Sequence, residues 1–162
     1  RQRGLSVEIL SGDLETPVSR AAAAAHVADW RASCTPHDKA AAIDALTRRG
    51  RKVLMVGDGL NDAGALAKAH AAMAPGTALE ASQNAADLVF SGERLMTVVA
   101  AIDVARSARR RAMENFGLAA LYNAVAAPAA TLGLVNPFVA AIAMSGSSLV
   151  VTLNALRTGA RR

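Results

Sequence analysis

Up to about residue 91, apolar residues fall into short runs separated by polar turns; beyond it they form long, nearly unbroken stretches. Residues 5–10 (Leu-Ser-Val-Glu-Ile-Leu) alternate and are rich in β-formers, which predicts a strand ended by Ser11-Gly12-Asp13. Residues 14–28 are alanine-rich with Pro17 tolerable only in a first turn, which predicts a helix. A short strand is predicted around Trp30, within 27–32. Thr35-Pro36 then marks a helix start, N-cap followed by proline at the first helical position, and the helix should run to about Arg49 with Gly50 as its stop signal. Val53–Val56 is apolar without alternation, the pattern of a strand buried on both faces of a parallel sheet. A short helix over 63–69, strands over 71–74 and 86–90, a Pro75-Gly76 turn and a helix over 79–84 complete the series. Strands alternating with helices predict an α/β domain built on one parallel sheet.

After Ser91 the pattern changes. Residues 95–114 read as one helix carrying Arg106, Arg109, Arg110 and Arg111. From 115 to 156, 42 residues, there is no Asp, Glu, Lys, Arg or His. A membrane-spanning helix needs about 20 apolar residues, so this run accommodates two, at about 116–134 and 138–156, with Gly133, Asn136 and Pro137 supplying the turn. Arginines bracket the run: the four before it, and Arg157, Arg161 and Arg162 after it. The positive-inside rule then places residues 1–114 and the 158–162 tail in the cytoplasm. A buried helical hairpin of a soluble protein is the alternative, since alanine is only weakly apolar.

Composition adds limits. The chain has 18 Lys+Arg against 13 Asp+Glu, a net charge of +5. With aromatics at only 3 %, a base-stacking surface is not expected, and the basic excess reads as contact with membrane lipid rather than nucleic acid. The single cysteine, Cys34, excludes an internal disulfide framework and reads as a small buried apolar residue. The chain begins Arg1-Gln2-Arg3-Gly4, without an initiator Met or a signal-peptide pattern, and reads as cut at its N-terminus.

Candidate chemistry gathers at strand ends and helix starts. In Gly57-Asp58-Gly59-Leu60-Asn61-Asp62-Ala63, two carboxylates and an amide follow the 53–56 strand. So close a pair of acids calls for a cation, and Mg²⁺ with oxygen ligands is the natural one, with Asp58 and Asp62 as ligands. Ser11, Gly12 and Asp13 offer a hydroxyl and backbone N–H groups suited to phosphate oxygens, although Ser-Gly-Asp is also an ordinary turn sequence. Lys39, in the first turn of its helix, sits where a cation is slightly disfavoured, so a nearby anion would account for it; otherwise it is a solvated lysine. Hydroxyl, ammonium and metal carboxylates are together what phosphoryl transfer needs. In the charge-free run, Tyr122, Asn123, Thr131, Ser145, Ser147, Ser148, Thr152 and Asn154 are the polar residues. Met144 and Ser148 share a helix face. A thioether there suits Cu(I), while Gly146 and the serines equally suit close helix packing.

These motifs resemble the back half of the phosphorylation domain of P-type ATPases, a domain of the haloacid-dehalogenase-like (Rossmannoid) fold. The resemblance rests on Ser11-Gly12-Asp13, Pro36-His37-Asp38-Lys39, the Gly57–Ala63 loop, Ala74-Pro75-Gly76-Thr77-Ala78-Leu79-Glu80-Ala81 and Ala85-Ala86-Asp87-Leu88-Val89. It implies Asp58 as the side-chain Mg²⁺ ligand, Asn61 and Asp62 as supports of the metal and an aspartyl-phosphate, Lys39 on the phosphoryl group and Ser11 on one of its oxygens. Gly64 departs from the pattern, where proline is usual. Tyr122-Asn123, Met144-Ser145-Gly146-Ser147-Ser148 and Asn154-Ala155-Leu156-Arg157 resemble the last two membrane helices of copper-transporting P-type ATPases, in particular the subgroup serving cytochrome oxidase assembly. That implies Tyr122, Asn123, Met144 and Ser148 as transport-site ligands for Cu⁺, with ATP bound mainly by regions outside this chain.

The resemblance divides the chain into a C-terminal part of the phosphorylation domain (1–97), a basic linking helix (98–114), a transmembrane hairpin (115–157) and a tail (158–162). Asp-Lys-Thr-Gly-Thr, Thr-Gly-Glu and an intramembrane Cys-Pro-Cys do not occur in the chain. The segment is therefore expected to be inactive alone, with the N-terminal parts of the same ATPase as partners and a copper chaperone as a further candidate. Two other readings stand beside it: a zinc or other heavy-metal transporter of the same family, and a membrane-tethered, non-catalytic metal- or phosphate-binding module.

Overall fold

In a computed structural model that describes residues 4–92 and 95–156, the chain divides near residue 95 into two compact units. The first alternates strands and helices: β1 (Glu8–Leu10), α1 (Glu15–Ala24), β2 (Asp29–Arg31), α2 (Pro36–Arg48), β3 (Leu54–Val56), a 3-10 turn at Leu60–Asp62, α3 (Ala63–Lys68), β4 (Ala71–Pro75), α4 (Glu80–Ala85) and β5 (Leu88–Phe90). All pairing is parallel: β1 with β2, and β3 with β4 with β5. The expected single sheet is thus two groups of strands, and among the described residues no strand pairs with the second edge of β1 or of β3.

Helix ends follow local chemistry closely. Thr35 and Asp38 form a reciprocal capping box at the start of α2: Thr35 Oγ1 accepts from the Asp38 N–H at 3.2 Å and the Asp38 carboxylate accepts from the Thr35 N–H at 2.9 Å. α2 ends at a left-handed Gly50 (φ +71°) with paired bonds from the Gly50 and Arg51 N–H groups back to Thr47 and Leu46, the Schellman arrangement. α1 closes the same way with His26 in the left-handed position (φ 53°).

The core is built from small residues: Ala22, Ala42, Ala65, Ala72 and Ala74 are buried with Val18, Ile43, Leu66, Met73 and Phe90. β4, with a partner on each side, holds three of the four buried strand positions, Phe90 at the end of β5 being the other. β3 does not. Leu54 is 37 % exposed and Met55 and Val56 are half-buried, against the expectation from its unbroken apolar run, because one edge of β3 has no neighbouring strand among the described residues.

In the second unit, the predicted linking helix 98–114 and first span 116–134 are one continuous helix, α5 (Met96–Thr131), followed by α6 (Pro137–Leu156). The change from charged to uncharged residues at Glu114 carries no backbone signal, so the helix passes through it. α5 ends at Gly133 (φ +71°) in another Schellman pattern, with the Gly133 and Leu134 N–H groups bonded to Ala130 and Ala129. Asn136 caps α6, accepting from the Phe138 N–H at 2.9 Å, with Pro137 at the first position. α5 and α6 pack side by side as a helical hairpin. By length and composition α6 is the one candidate membrane span among the described residues; Tyr122, Asn123 and Pro128 dilute the apolar half of α5. Arg157, Arg161, Arg162 and the 158–162 tail lie outside the described residues.

The capping box yields a prediction. Thr35→Ala should lower stability by about 1 kcal/mol in chemical denaturation. The bonds from Thr35 hold the Asp38 carboxyl below its ordinary value of 3.8. A lowered folded value means that this contribution is complete above pH 3.8 and fades as pH falls through the folded value. The Thr35→Ala difference should therefore shrink in acid below that point.

Candidate active site and hairpin flank

The acidic loop leaves β3 at Gly57 and turns into α3 through Leu60–Asp62. Lys39, from the first turn of α2, reaches across to it: Lys39 Nζ donates to Asp62 Oδ1 at 2.6 Å, with each side chain only 10 % exposed. This is the anion that accounts for a lysine at that end of a helix. Asp62 Oδ2 accepts the Gly59 N–H at 3.3 Å, so both carboxylate oxygens are engaged. Gly57 must be glycine for a steric reason. A Cβ there would lie 2.8 Å from Asp62 Cβ and 2.9 Å from Oδ2.

Asp58 is different. It is exposed and its carboxylate has no partner among the described residues, while its backbone carbonyl accepts the Leu79 N–H at 3.3 Å. Asn61 is exposed beside it. No group of three or more His, Cys, Asp or Glu is arranged to hold a metal among the described residues. One free carboxylate nonetheless fits Mg²⁺, which keeps most of its waters and takes one or two carboxylates plus substrate phosphate oxygens. Both Asp62 oxygens are taken, by Lys39 and the Gly59 N–H, so among the described residues the loop's unpartnered carboxylate is Asp58.

A residue not singled out from sequence completes the loop. Ser82 of α4 is fully buried and its hydroxyl donates to the Gly59 carbonyl at 2.5 Å. A serine in a short polar helix carries no sequence signal of such a role; only its burial exposes it.

Ser11 lies at the end of β1. Its hydroxyl donates to Asp13 Oδ2 at 3.2 Å and accepts the Asp13 N–H at 3.2 Å, and its backbone is tied to Arg31 and Cys34. Gly12 and Asp13 are exposed. Among the described residues no hydrogen bond joins Ser11 to Lys39 or to the 57–62 loop. Lys39 and Asp62 are thus brought together, and Ser11-Gly12-Asp13 forms a separate turn.

In the hairpin, the half-buried residues mark the seam: Asn115, Ala119, Tyr122, Ala126 and Ala129 on α5, and Ser147, Val151 and Asn154 on α6. Asn123, Met144 and Ser148 are exposed. At 3.6 residues per turn, Asn123 lies about 90° round α5 from the seam, and Met144 and Ser148 about 50° and 90° round α6 in the same rotational sense. In antiparallel helices, equal sense means the same side of the pair. The opposite side is a groove lined by Gly117, Leu118, Leu121, Val150 and Leu153. The Asn154 amide donates to Asn115 Oδ1 at 2.8 Å, which sets the level: Asn123 is about 12 Å along α5 from that bond, between Ser148 at about 9 Å and Met144 at about 15 Å along α6. Tyr122 is in the seam itself.

Comparison with known proteins agrees with this architecture. A haloacid dehalogenase-like hydrolase family model matches residues 1–70. The nitrogen fixation protein FixI of Bradyrhizobium diazoefficiens is 53 % identical over 97 % of this chain and 22 % of that protein. The probable copper-exporting P-type ATPase V of Mycobacterium tuberculosis is 40 % identical over 95 % of this chain and 20 % of that protein. The chain belongs to the P-type ATPase family. A solved zinc-transporting PIB-type ATPase superimposes with a TM-score of 0.82 at 30 % identity, covering 97 % of this chain and 26 % of that one. The chain spans about a fifth of the length of the curated relatives it matches.

The Lys39–Asp62 pair predicts an asymmetric response. Removing one partner leaves the other charge buried and alone, so Lys39→Ala should cost about 3–5 kcal/mol, whereas Lys39→Met with Asp62→Leu should cost far less. Denaturant titration of the two variants checks the difference.

Proposed function

We propose that this chain is the C-terminal portion of an ATP-driven Cu(I) transporter, supplying part of a Mg²⁺-dependent phosphoryl-transfer site and part of an ion pathway. The observation that carries the first half is the division of labour in the acidic loop: Asp62 held by Lys39, Asp58 left free. In this reading Asp58 holds Mg²⁺, which neutralises charge on the transferred group. Lys39 places its ammonium beside the phosphoryl oxygens, with Asp62 fixing its position and Asn61 lining the approach. The Ser11 hydroxyl and Gly12 N–H take another phosphoryl oxygen, and Asp13 orients the hydroxyl.

The acceptor aspartate comes from the rest of the transporter. Crossovers between parallel strands are right-handed. α2 packs on α3 and α3 on α4, so they share a face, while α1 packs on β2 and makes no comparable contact with α2 among the described residues. The order β2-β1 followed by β3-β4-β5 satisfies this, with α1 on the other face. The open edges of β1 and β3 then border the topological switch point, where open α/β sheets bind their ligands. A parallel strand inserted there would bring an acceptor carboxylate to the carboxyl ends of β1 and β3.

For the ion, Asn123, Met144 and Ser148 on one flank and within about 6 Å of one another along the helix axes support a transport site, with Tyr122 at its edge. A thioether among neutral oxygens suits Cu(I). The second reading is a zinc or other divalent cargo, favoured by the zinc-transporting structural relative; residues 115–156 contain no carboxylate or imidazole for it. Both helices crossing the inner membrane, with both ends cytoplasmic, belongs to the same proposal.

In the full-length transporter, Asp58→Asn should abolish phosphoenzyme formation, and Met144→Leu should raise half-saturating Cu(I) at least tenfold. Copper-stimulated phosphorylation that survives Asp58→Asn refutes the role of Asp58. Stimulation by Zn²⁺ with no response to Cu(I) replaces the copper reading with the divalent one.

A further inference from the structure

The hairpin is closed at one end by the five residues 132–136. At the other end it is held by a knot of polar side chains. Asn154 donates to Asn115 Oδ1 at 2.8 Å and to Glu114 Oε2 at 3.3 Å, and Arg111 Nη1 donates to the same Glu114 oxygen at 2.9 Å. Between these two ends the seam is nearly all small residues: Ala119, Ala126 and Ala129 against Ser147 and Val151, with Tyr122 the exception. Small residues allow close approach of helices, but a row of alanines packs almost equally well at neighbouring registers. In lipid there is little hydrophobic drive to choose among them. A polar pair at a seam position does choose, as a single core asparagine fixes register in a coiled coil.

We infer that Asn154 is a positioning residue: its amide, bonded to Asn115, locks the register that levels Asn123 with Met144 and Ser148. It touches none of the three. Asn115 is eight residues from Asn123, and Asn154 is six from Ser148 and ten from Met144. A slip of one turn, about 5.4 Å, would carry Asn123 outside the interval that Ser148 and Met144 span. Arg111 is not the lock, because its bond to Glu114 stays within α5 and does not cross the seam. The importance of the register rests on the transport-site reading above; the lock itself does not.

The test uses the full-length transporter and keeps those two apart. Cysteine pairs are placed across the seam and their disulfides mapped by peptide mass spectrometry, so that native cysteines do not interfere. Ala119→Cys with Val151→Cys, level with each other by the Asn115–Asn154 bond, should oxidise readily. In the Asn154→Leu background its yield should fall roughly threefold or more, with new cross-linking of Ala119→Cys to Ser147→Cys, one turn away. Asn154→Gln, which retains the amide, should keep the original pair within about twofold. In parallel, Asn154→Leu should raise half-saturating Cu(I) by roughly three- to tenfold, the scale of one hydrogen bond in a membrane, with the maximal rate within about twofold. Phosphoenzyme formed from inorganic phosphate without copper should be unchanged, showing an intact fold. Identical cross-linking in both backgrounds overturns the lock. A displaced cross-link with unchanged half-saturation overturns the positioning role. If the unmodified transporter responds to another cation and not to Cu(I), the copper reading fails, and the same half-saturation comparison with that cation decides the proposal.

Discussion

The contact on which the first unit depends is the buried ion pair between Lys39 and Asp62. A lysine and an aspartate each nine-tenths removed from water are costly unless they meet, and they meet at 2.6 Å. The pair ties the first turn of α2 to the loop that follows β3. It also explains neighbours that have no interest of their own. Gly57 lacks a side chain because Asp62 lies where one would go. The Gly59 N–H closes on the second Asp62 oxygen, and Ser82 holds the Gly59 carbonyl from the far side. With Asp62 thus paired, Asp58 is the loop's carboxylate without a partner among the described residues, exposed to solvent.

A loop organised in this way suits a site that must receive a highly charged group without rearranging. Donors and charges fixed in advance cost nothing to orient when the reacting group arrives. The hairpin repeats the theme with weaker forces. A seam of small residues gives closeness but not register, and a few hydrogen bonds near one end give register. In both units, a small number of polar contacts positions exposed side chains that they do not themselves touch: Asp58 in one, Asn123, Met144 and Ser148 in the other.

Much of the local structure was legible in the sequence, because its signals are local. Thr35-Pro36 and Gly50 satisfy backbone groups within a turn, and α2 starts and stops there as read; Asn136-Pro137, read as turn residues, are the cap and first position of α6. The parallel α/β class followed from alternation alone. What was not legible depends on distant or missing neighbours. An unbroken apolar run cannot say whether its second strand neighbour is present, so β3 was read as fully buried. A change of composition at Glu114 was read as a helix boundary, although neither glycine nor proline stands there. Ser82 and Asn154 are ordinary polar residues until the fold brings Gly59 and Asn115 to them. Of the candidate site, the residue types were readable, but the pairing that separates Asp62 from Asp58 required the geometry.

That separation is tested most directly by a high-resolution structure of the full-length transporter with Mg²⁺ and a phosphoryl analogue bound. The account predicts a metal about 2.0–2.1 Å from an Asp58 carboxylate oxygen, with the Lys39–Asp62 contact intact. A metal ligated by Asp62 with Lys39 displaced, and Asp58 left in solvent, would contradict it.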